Sequence, residues 1–375
     1  MQSENISDNG IVDLGNLYRI GRTIRKAMAG DGITVGMIGG SITQGSRSSS
    51  PKTCYAYLVY MWWVNRFPNC KIQYINAGIG GTTSQFGTAR AEEDLLAFQP
   101  DFIITEFSVN DQNTPFFRET YEGLIRQCLT CTSEPGILIL NNVCYNDGTN
   151  TQEMHNEVGA YYKLPMVSIK DSIYQLVKSG AVDKAAITPD DLHPNDAGHK
   201  LVAEKVTNLL DIIYEKVEKE EIEKEYIFPE KTLTDNRFED SLRLNNNNIK
   251  PSAKGFQADK TPKAGITDIF RDGFFARKVG DTISFEVEAG NIAVQYKKTI
   301  QRKAPVAAAV IDGDSENPVI LDANFEEDWG DCLYLQNLLV GGSKGRHRID
   351  ITITEADEES NLDFYLVSMI ISDRG

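Results

Sequence analysis

Positive charge is scarce in this 375-residue chain: 38 Lys and Arg face 54 Asp and Glu, for a formal net charge of −16. That balance argues against nucleic acid or an anionic membrane surface as partner and favours a neutral or polar small substrate. Long hydrophobic runs are also missing. None approaches the roughly 18 apolar residues of a membrane span. The opening Met1-Gln-Ser-Glu-Asn lacks the basic start, apolar stretch and small-residue cleavage site of a secretory leader, so a cytoplasmic protein is expected. A disulfide framework is absent too. Six cysteines are scattered, and Cys54, Cys70, Cys128 and Cys144 lie in or beside apolar segments, which reads as reduced core filler. Cys128-Leu-Thr-Cys131 has CxxC spacing, but no second pair or histidine follows at metal-ligand spacing, so neither a zinc nor a redox site is expected.

What is present is ample apolar material, 41% of the chain, which supports two domains. From residue 33 to 214, short β-like runs (Ile33–Ile38, Ile72–Asn76, Phe102–Phe107, Ile137–Asn141, Met166–Ile169) alternate with helical patterns near 53–67, 84–97, 116–132, 151–162, 171–179 and 197–214. Such alternation predicts an α/β domain over 1–214, a parallel sheet with helices on both faces. Runs such as "FIITEF" and "ILIL" suit strands buried on both sides. Residues 215–235 are densely charged and read as a solvated helix tail and linker. From 236 to 375 the texture is alternating and β-branched ("TISFEVEAG", "HRIDITITE"), broken by Gly, Asp and Asn. This predicts a smaller antiparallel β-sandwich.

"GMIGGSITQG", residues 36–45, sets Ser41 just past the first of these strands. Ligands of an open parallel sheet bind at the carboxyl ends of its strands, so Ser41 is a candidate nucleophile, with a tight turn and helix cap as the plain alternative. The GxSxG elbow is not met, because Thr43 stands where that motif has glycine. "TPDDLHPNDAGH", 188–199, supplies a base: Asp190 lies three residues before His193 and would fix its tautomer, with Asp191 the competitor for that role. "NAGIGGTTS", 76–84, offers backbone N–H groups unobstructed by side chains, and "FSVND", 107–111, puts the Asn110 amide at the same sheet edge. Together these are the donors an oxyanion needs.

"GGSITQG", "NAGIGGTTS", "SVND" and "DDLHPND", in this order over about residues 30–215, resemble the four blocks of the SGNH (GDSL-type) hydrolases. The resemblance implies Ser41, Asp190 and His193 as catalytic triad, and the Ser41 N–H, the Gly81 N–H and the Asn110 side chain as oxyanion donors, with adjacent Gly80 leaving the glycine open by one position. Gly40 replaces the Asp of Gly-Asp-Ser and Ser108 the usual Gly of the third block, which bears on subfamily. An SGNH domain followed by a sandwich is similar to the two-domain esterases of carbohydrate esterase family 17, whose sandwich is carbohydrate-binding-module-like. That implies removal of 2-O-acetyl groups from manno-oligosaccharides, with no cofactor and no metal. Competing readings are a lysophospholipase or thioesterase of the same fold, for which the polar loops 44–53 and 111–115 advertise no apolar channel, and an inactive carbohydrate-binding protein.

Other residues have plainer assignments. Trp62 and Trp63 read as core or domain contact. Trp329, in "EEDWGDCLY", reads either as a sugar-stacking platform or as structural. His155 and His199 read as surface or capping residues, and His347 as a strand-entry residue. Oligomeric state is not readable.

Overall fold

The computed structural model describes residues 10–374; the opening segment on which the leader expectation rests lies outside them. Two compact units divide between Asn236 and Arg237.

The first unit is built on a six-stranded sheet of β1 (Ile11–Asp13), β2 (Ile33–Gly39), β3 (Ile72–Gly78), β4 (Phe102–Glu106), β5 (Gly136–Asn141) and β6 (Met166–Ser168). Its order is β1-β6-β5-β4-β2-β3. Five strands are parallel as predicted, and β1, which the sequence reading missed, is an antiparallel edge on β6. The helices are α1 (Tyr18–Met28), α2 (Ser41–Gln44), α3 (Tyr55–Arg66), α4 (Ser84–Asp94), α5 (Pro115–Thr130), α6 (Gln152–Tyr161), α7 (Ile173–Lys178), α8 (Lys184–Ile187) and α9 (Asp196–Glu218). β2, β4 and β5 are buried along their whole length, which is why their sequences are predominantly apolar rather than alternating. α5 starts sharply: Thr114 caps the Phe117 N–H at 3.4 Å and Pro115 occupies the first turn. From β2 the chain steps outward to β3 and then returns to β4 on the other side. That reversal opens a crevice between the carboxyl ends of β2 and β4.

Residues 215–235 are not a free linker. α9 runs on to Glu218, Ile222 joins the core of the first unit, and the Tyr226 hydroxyl donates to the Tyr162 carbonyl at 2.8 Å. The Leu233 and Thr234 N–H groups donate to Glu122 at 2.6 and 2.8 Å. The run carries apolar and hydrogen-bonding residues among its charges, and these strap it onto the first unit. Trp63 is fully buried, and Trp62 packs against the core with its indole N–H donating to Asp211 at 2.9 Å. No helix of the described residues is long and apolar enough to cross a membrane.

The second unit comprises β7 (Leu242–Leu244), β8 (Ser252–Lys254), β9 (Gln257–Ala258), β10 (Phe274–Ala276), β11 (Thr282–Ala289), β12 (Asn291–Lys298), β13 (Val306–Ile311), β14 (Val319–Asp322), β15 (Cys332–Leu339), β16 (Gly345–Glu355) and β17 (Phe364–Ser372). They form two antiparallel sheets, β15-β12-β17-β10-β9 with β7 beside β17, and β14-β13-β16-β11-β8. Alternation along β11 turns Ile283, Phe285 and Val287 inward. Phe285 meets Phe274 of the other sheet edge-on at 6.0 Å in the core between them. His347 lies near the start of β16 with Nδ1 2.7 Å from Asp312. Trp329 is 58% exposed in the loop before β15, edge-on to Phe325.

Candidate active site

β2 ends at Gly39, and extended Gly40 leads straight into α2, so Ser41 is the first residue of a helical turn set on the strand end. The turn lies so close to β3 that a Cβ on Gly78 would come within 2.2 Å of the Gln44 nitrogen. Glycine is required there. Ser41 is nearly buried, and its hydroxyl lies 2.9 Å from His193 Nε2.

His193 sits in the loop between α8 and α9, and that loop is tied at its base. Asn195 caps α9 through the Gly198 N–H at 3.1 Å and donates to the Ile187 and Ala186 carbonyls. Asp196 accepts from the Ser49 N–H and the Thr53 hydroxyl, binding the segment after α2 to the same helix start. Asp190 Oδ2 is 3.0 Å from His193 Nδ1, while Oδ1 accepts the His193 N–H at 2.8 Å. Burial pushes the Asp190 carboxyl up, but bonds from the His193 backbone, the Arg47 guanidinium (2.9 Å) and the His193 ring outweigh it and hold the group at about 2. An ionised Asp190 places the ring proton on Nδ1 and leaves Nε2 bare to accept the Ser41 hydroxyl proton. The competition with Asp191 is decided by backbone. At φ 64° Asp191 turns away, pairs with Lys184 at 2.8 Å and gives its carbonyl to the Tyr145 N–H.

The glycine loop lies beside the serine: a Cβ on Gly80 would be 3.6 Å from Ser41 Cβ. The Gly80 N–H is taken by the Gln44 side chain at 2.6 Å, whereas Gly81, at φ +69° with open space around it, has an N–H with no partner among the described residues. Asn110 follows β4 and lies against Gly40, where a Cβ would come within 2.2 Å of its Oδ1. That contact gives the physical reason for glycine before Ser41 in this chain. The structure thus gathers Ser41, His193, Asp190, Asn110 and the Gly80–Gly81 loop at one sheet edge. Trp329 belongs to the second unit. Among the described residues, no group of three or more His, Cys, Asp or Glu side chains is disposed to hold a metal ion. Cys128 is fully buried, and burial pushes its thiol well up.

Several residues near the site escaped the sequence reading. His199 and His155 are core residues, not surface or capping ones; both are fully buried. His199 Nδ1 accepts the Tyr55 N–H at 3.3 Å, its Nε2 donates to the Ser46 carbonyl at 3.2 Å, and burial lowers it to about 4, so the ring is neutral. Glu106, at the end of β4, is fully buried beneath α2 and accepts the Thr43 hydroxyl at 3.1 Å. Burial raises its carboxyl to about 7, with the Thr43 hydroxyl giving partial relief. A charged residue inside the strand-like run "FIITEF" was the available signal. Arg47 had none.

The chain is similar to known proteins along both units. The profile of the GDSL-like Lipase/Acylhydrolase family matches residues 37–201. A crystal structure of a two-domain esterase (CEX) active on acetylated mannans is 48% identical, with a TM-score of 0.94 over 98% of this chain and 99% of its own. The same esterase co-crystallized with mannopentaose gives the same identity and TM-score over 98% of both chains. An acetylxylan esterase of Geobacillus stearothermophilus is 27% identical over 157 residues, 36% of this chain and 71% of its own. With identity at this level across both units, the chain belongs to the GDSL-like (SGNH) hydrolase family and, within it, to the two-domain esterases.

Proposed function

We propose that the protein is a serine acetylesterase that removes O-acetyl groups from manno-oligosaccharides, the 2-O-acetyl group foremost, through an acyl-enzyme on Ser41. The observation that carries this is the continuous hydrogen-bonded chain from the Ser41 hydroxyl through His193 to Asp190 at the carboxyl edge of the sheet. Similarity across 98% of the chain to an esterase active on acetylated mannans supports the substrate class. Six unpaired cysteines support work in a reducing compartment.

Ser41 attacks the ester carbonyl as its proton passes to His193 Nε2. The Ser41 and Gly81 N–H groups and the Asn110 amide hold the oxyanion. Collapse of the tetrahedral species breaks the bond to the sugar oxygen, which leaves as an alcohol with the His193 proton. Water then gives a proton to His193 and attacks the acyl carbon, and acetate departs as Ser41 regains its hydrogen.

The test is acetate release from acetylated manno-oligosaccharides, acetylated xylo-oligosaccharides, an aryl acetate and a lysophospholipid, wild type beside Ser41→Ala. Ser41-dependent turnover strongest on the mannan esters is the expected result. Turnover confined to lipid or aryl acetate would discard the substrate class, and activity retained in Ser41→Ala would discard the nucleophile.

A further inference from the structure

Asp111 directly follows Asn110, and its side chain is fully buried. Oδ1 accepts the Ser84 N–H at 2.8 Å. Ser84 is the first residue of α4, three positions after Gly81. Oδ2 lies 3.1 Å from His155 Nε2 on α6. One carboxylate therefore joins the turn that carries Asn110 to the loop that carries Gly81, and its second oxygen is held by an imidazole. The turn is anchored on the same side by Thr151, whose N–H donates to the Ser108 carbonyl at 2.7 Å and whose hydroxyl donates to the Asp111 carbonyl at 2.6 Å.

His155 has no other evident task. Its ring stacks on Tyr121 at 3.7 Å, and Nδ1 is buried with no hydrogen-bond partner among the described residues. A phenylalanine or leucine would fill the space without leaving a buried nitrogen unpaired, so what the imidazole adds is the Nε2 bond to Asp111. An N–H aimed at that oxygen balances a carboxylate removed from water.

We propose that Asp111 and His155 are a positioning pair for the oxyanion site, fixing the spacing between the Asn110 amide and the Gly81 N–H while touching no substrate. The inference rests on reading Asn110 and Gly81 as oxyanion donors. Such donors act only when set 2.7–3.1 Å from the oxygen as charge develops on it, so a shift of about 1 Å lowers the chemical step and leaves ground-state binding nearly intact.

The experiment is a double-mutant cycle of Asp111→Ala and Asn110→Ala, with kcat and KM measured on an acetylated manno-oligosaccharide and on an aryl acetate. Asp111→Ala should lower kcat by roughly 10²–10³ with KM within about twofold. In the Asn110→Ala background the same change should cost less than about tenfold, because the donor it misplaces is already gone. Asp111→Asn, whose carbonyl still accepts the Ser84 N–H, should recover part of the loss. Equal factors in both backgrounds, or a loss lying in KM, would overturn the proposal. If Asp111→Ala does not fold, His155→Leu takes its place in the cycle with the same expectation, and an unchanged kcat there is also fatal. Failure of the underlying reading is separate: Asn110→Ala alone would then leave kcat untouched.

Discussion

Replacing Glu106 by Gln should make the protein more stable at alkaline pH and nearly neutral in effect at acid pH. The carboxyl is wholly buried at the end of β4, with Oε2 accepting the Thr43 hydroxyl and Oε1 without a hydrogen-bond partner among the described residues. Burial lifts its pKa from 4.5 to about 7. Below pH 4.5 the group is protonated in both the folded and unfolded chain and has no effect on their balance. Between 4.5 and 7 the unfolded chain ionises first, so stability falls as pH rises. Above 7 the folded state carries the full cost of a buried charge, which the gap between 4.5 and about 7 puts at about 3 kcal/mol. Glutamine keeps a carbonyl for Thr43 and cannot ionise, so it escapes that cost. Urea denaturation of both proteins from pH 4.5 to 8.5 should show the stability difference moving by about 2–3 kcal/mol in favour of the variant, mostly before pH 7.5. The second unit lacks the substitution and serves as internal reference wherever its transition is separate. A difference that stays flat with pH would refute the reasoning, because it would mean that the carboxyl ionises as freely in the folded protein as in the unfolded chain.

Two further predictions bear on the site. Asp190→Asn should lower kcat by about 10⁴ by favouring the wrong His193 tautomer, whereas Asp191→Asn should leave it within twofold, since that carboxylate pairs with Lys184; comparable losses in both would undo the assignment of the orienting carboxylate. Gly40→Ala places a methyl 2.2 Å from Asn110 Oδ1 at a backbone conformation that alanine accepts, so circular dichroism should be unchanged while kcat drops by roughly 10–10². An unaltered kcat would remove the Asn110 amide from the chemistry.

The parts of the fold legible in the sequence were those where local pattern and burial coincide. "FIITEF" and "ILIL" are dominated by apolar residues because β4 and β5 are covered on both faces, and their short length between turn signals favours strand over helix. The missed elements lacked such coincidence. β1 is three residues long and irregularly registered on β6. α1 carries Ile20, Ile24 and Ala27 on its buried face but interleaves them with basic residues and Gly21. The error at 215–235 had the same root: a few residues such as Ile222 and Tyr226 decide where the segment lies, and the charges around them dominate its composition.

The site divides in a similar way, between residues announced by their position after a strand and residues whose partners are remote in sequence. Ser41 and Asn110 lie at strand ends, where chain direction alone points them at the crevice. Choosing Asp190 over Asp191 depended on one positive φ, and nothing in "PDDLH" encodes which of two adjacent aspartates takes it. His155 and His199 looked like polar helix positions because their helices supply no clue to what covers them; His155 meets Asp111 across 44 residues, and His199 meets Tyr55 across 144. Even so, one signal held for the hidden set. Glu106 ends β4 and Asp111 lies in the turn that follows it, and both side chains are buried, where an ionisable group has no solvent to face. A carboxylate in that setting must find a buried donor, and here the donors are Thr43 of the serine turn for one, and Ser84 and His155 for the other. The two carboxyl groups lie four and one residues from Asn110, so the segment that leaves β4 carries both the amide proposed for the oxyanion and two buried acceptors, one bonded to the serine turn and one to the start of α4.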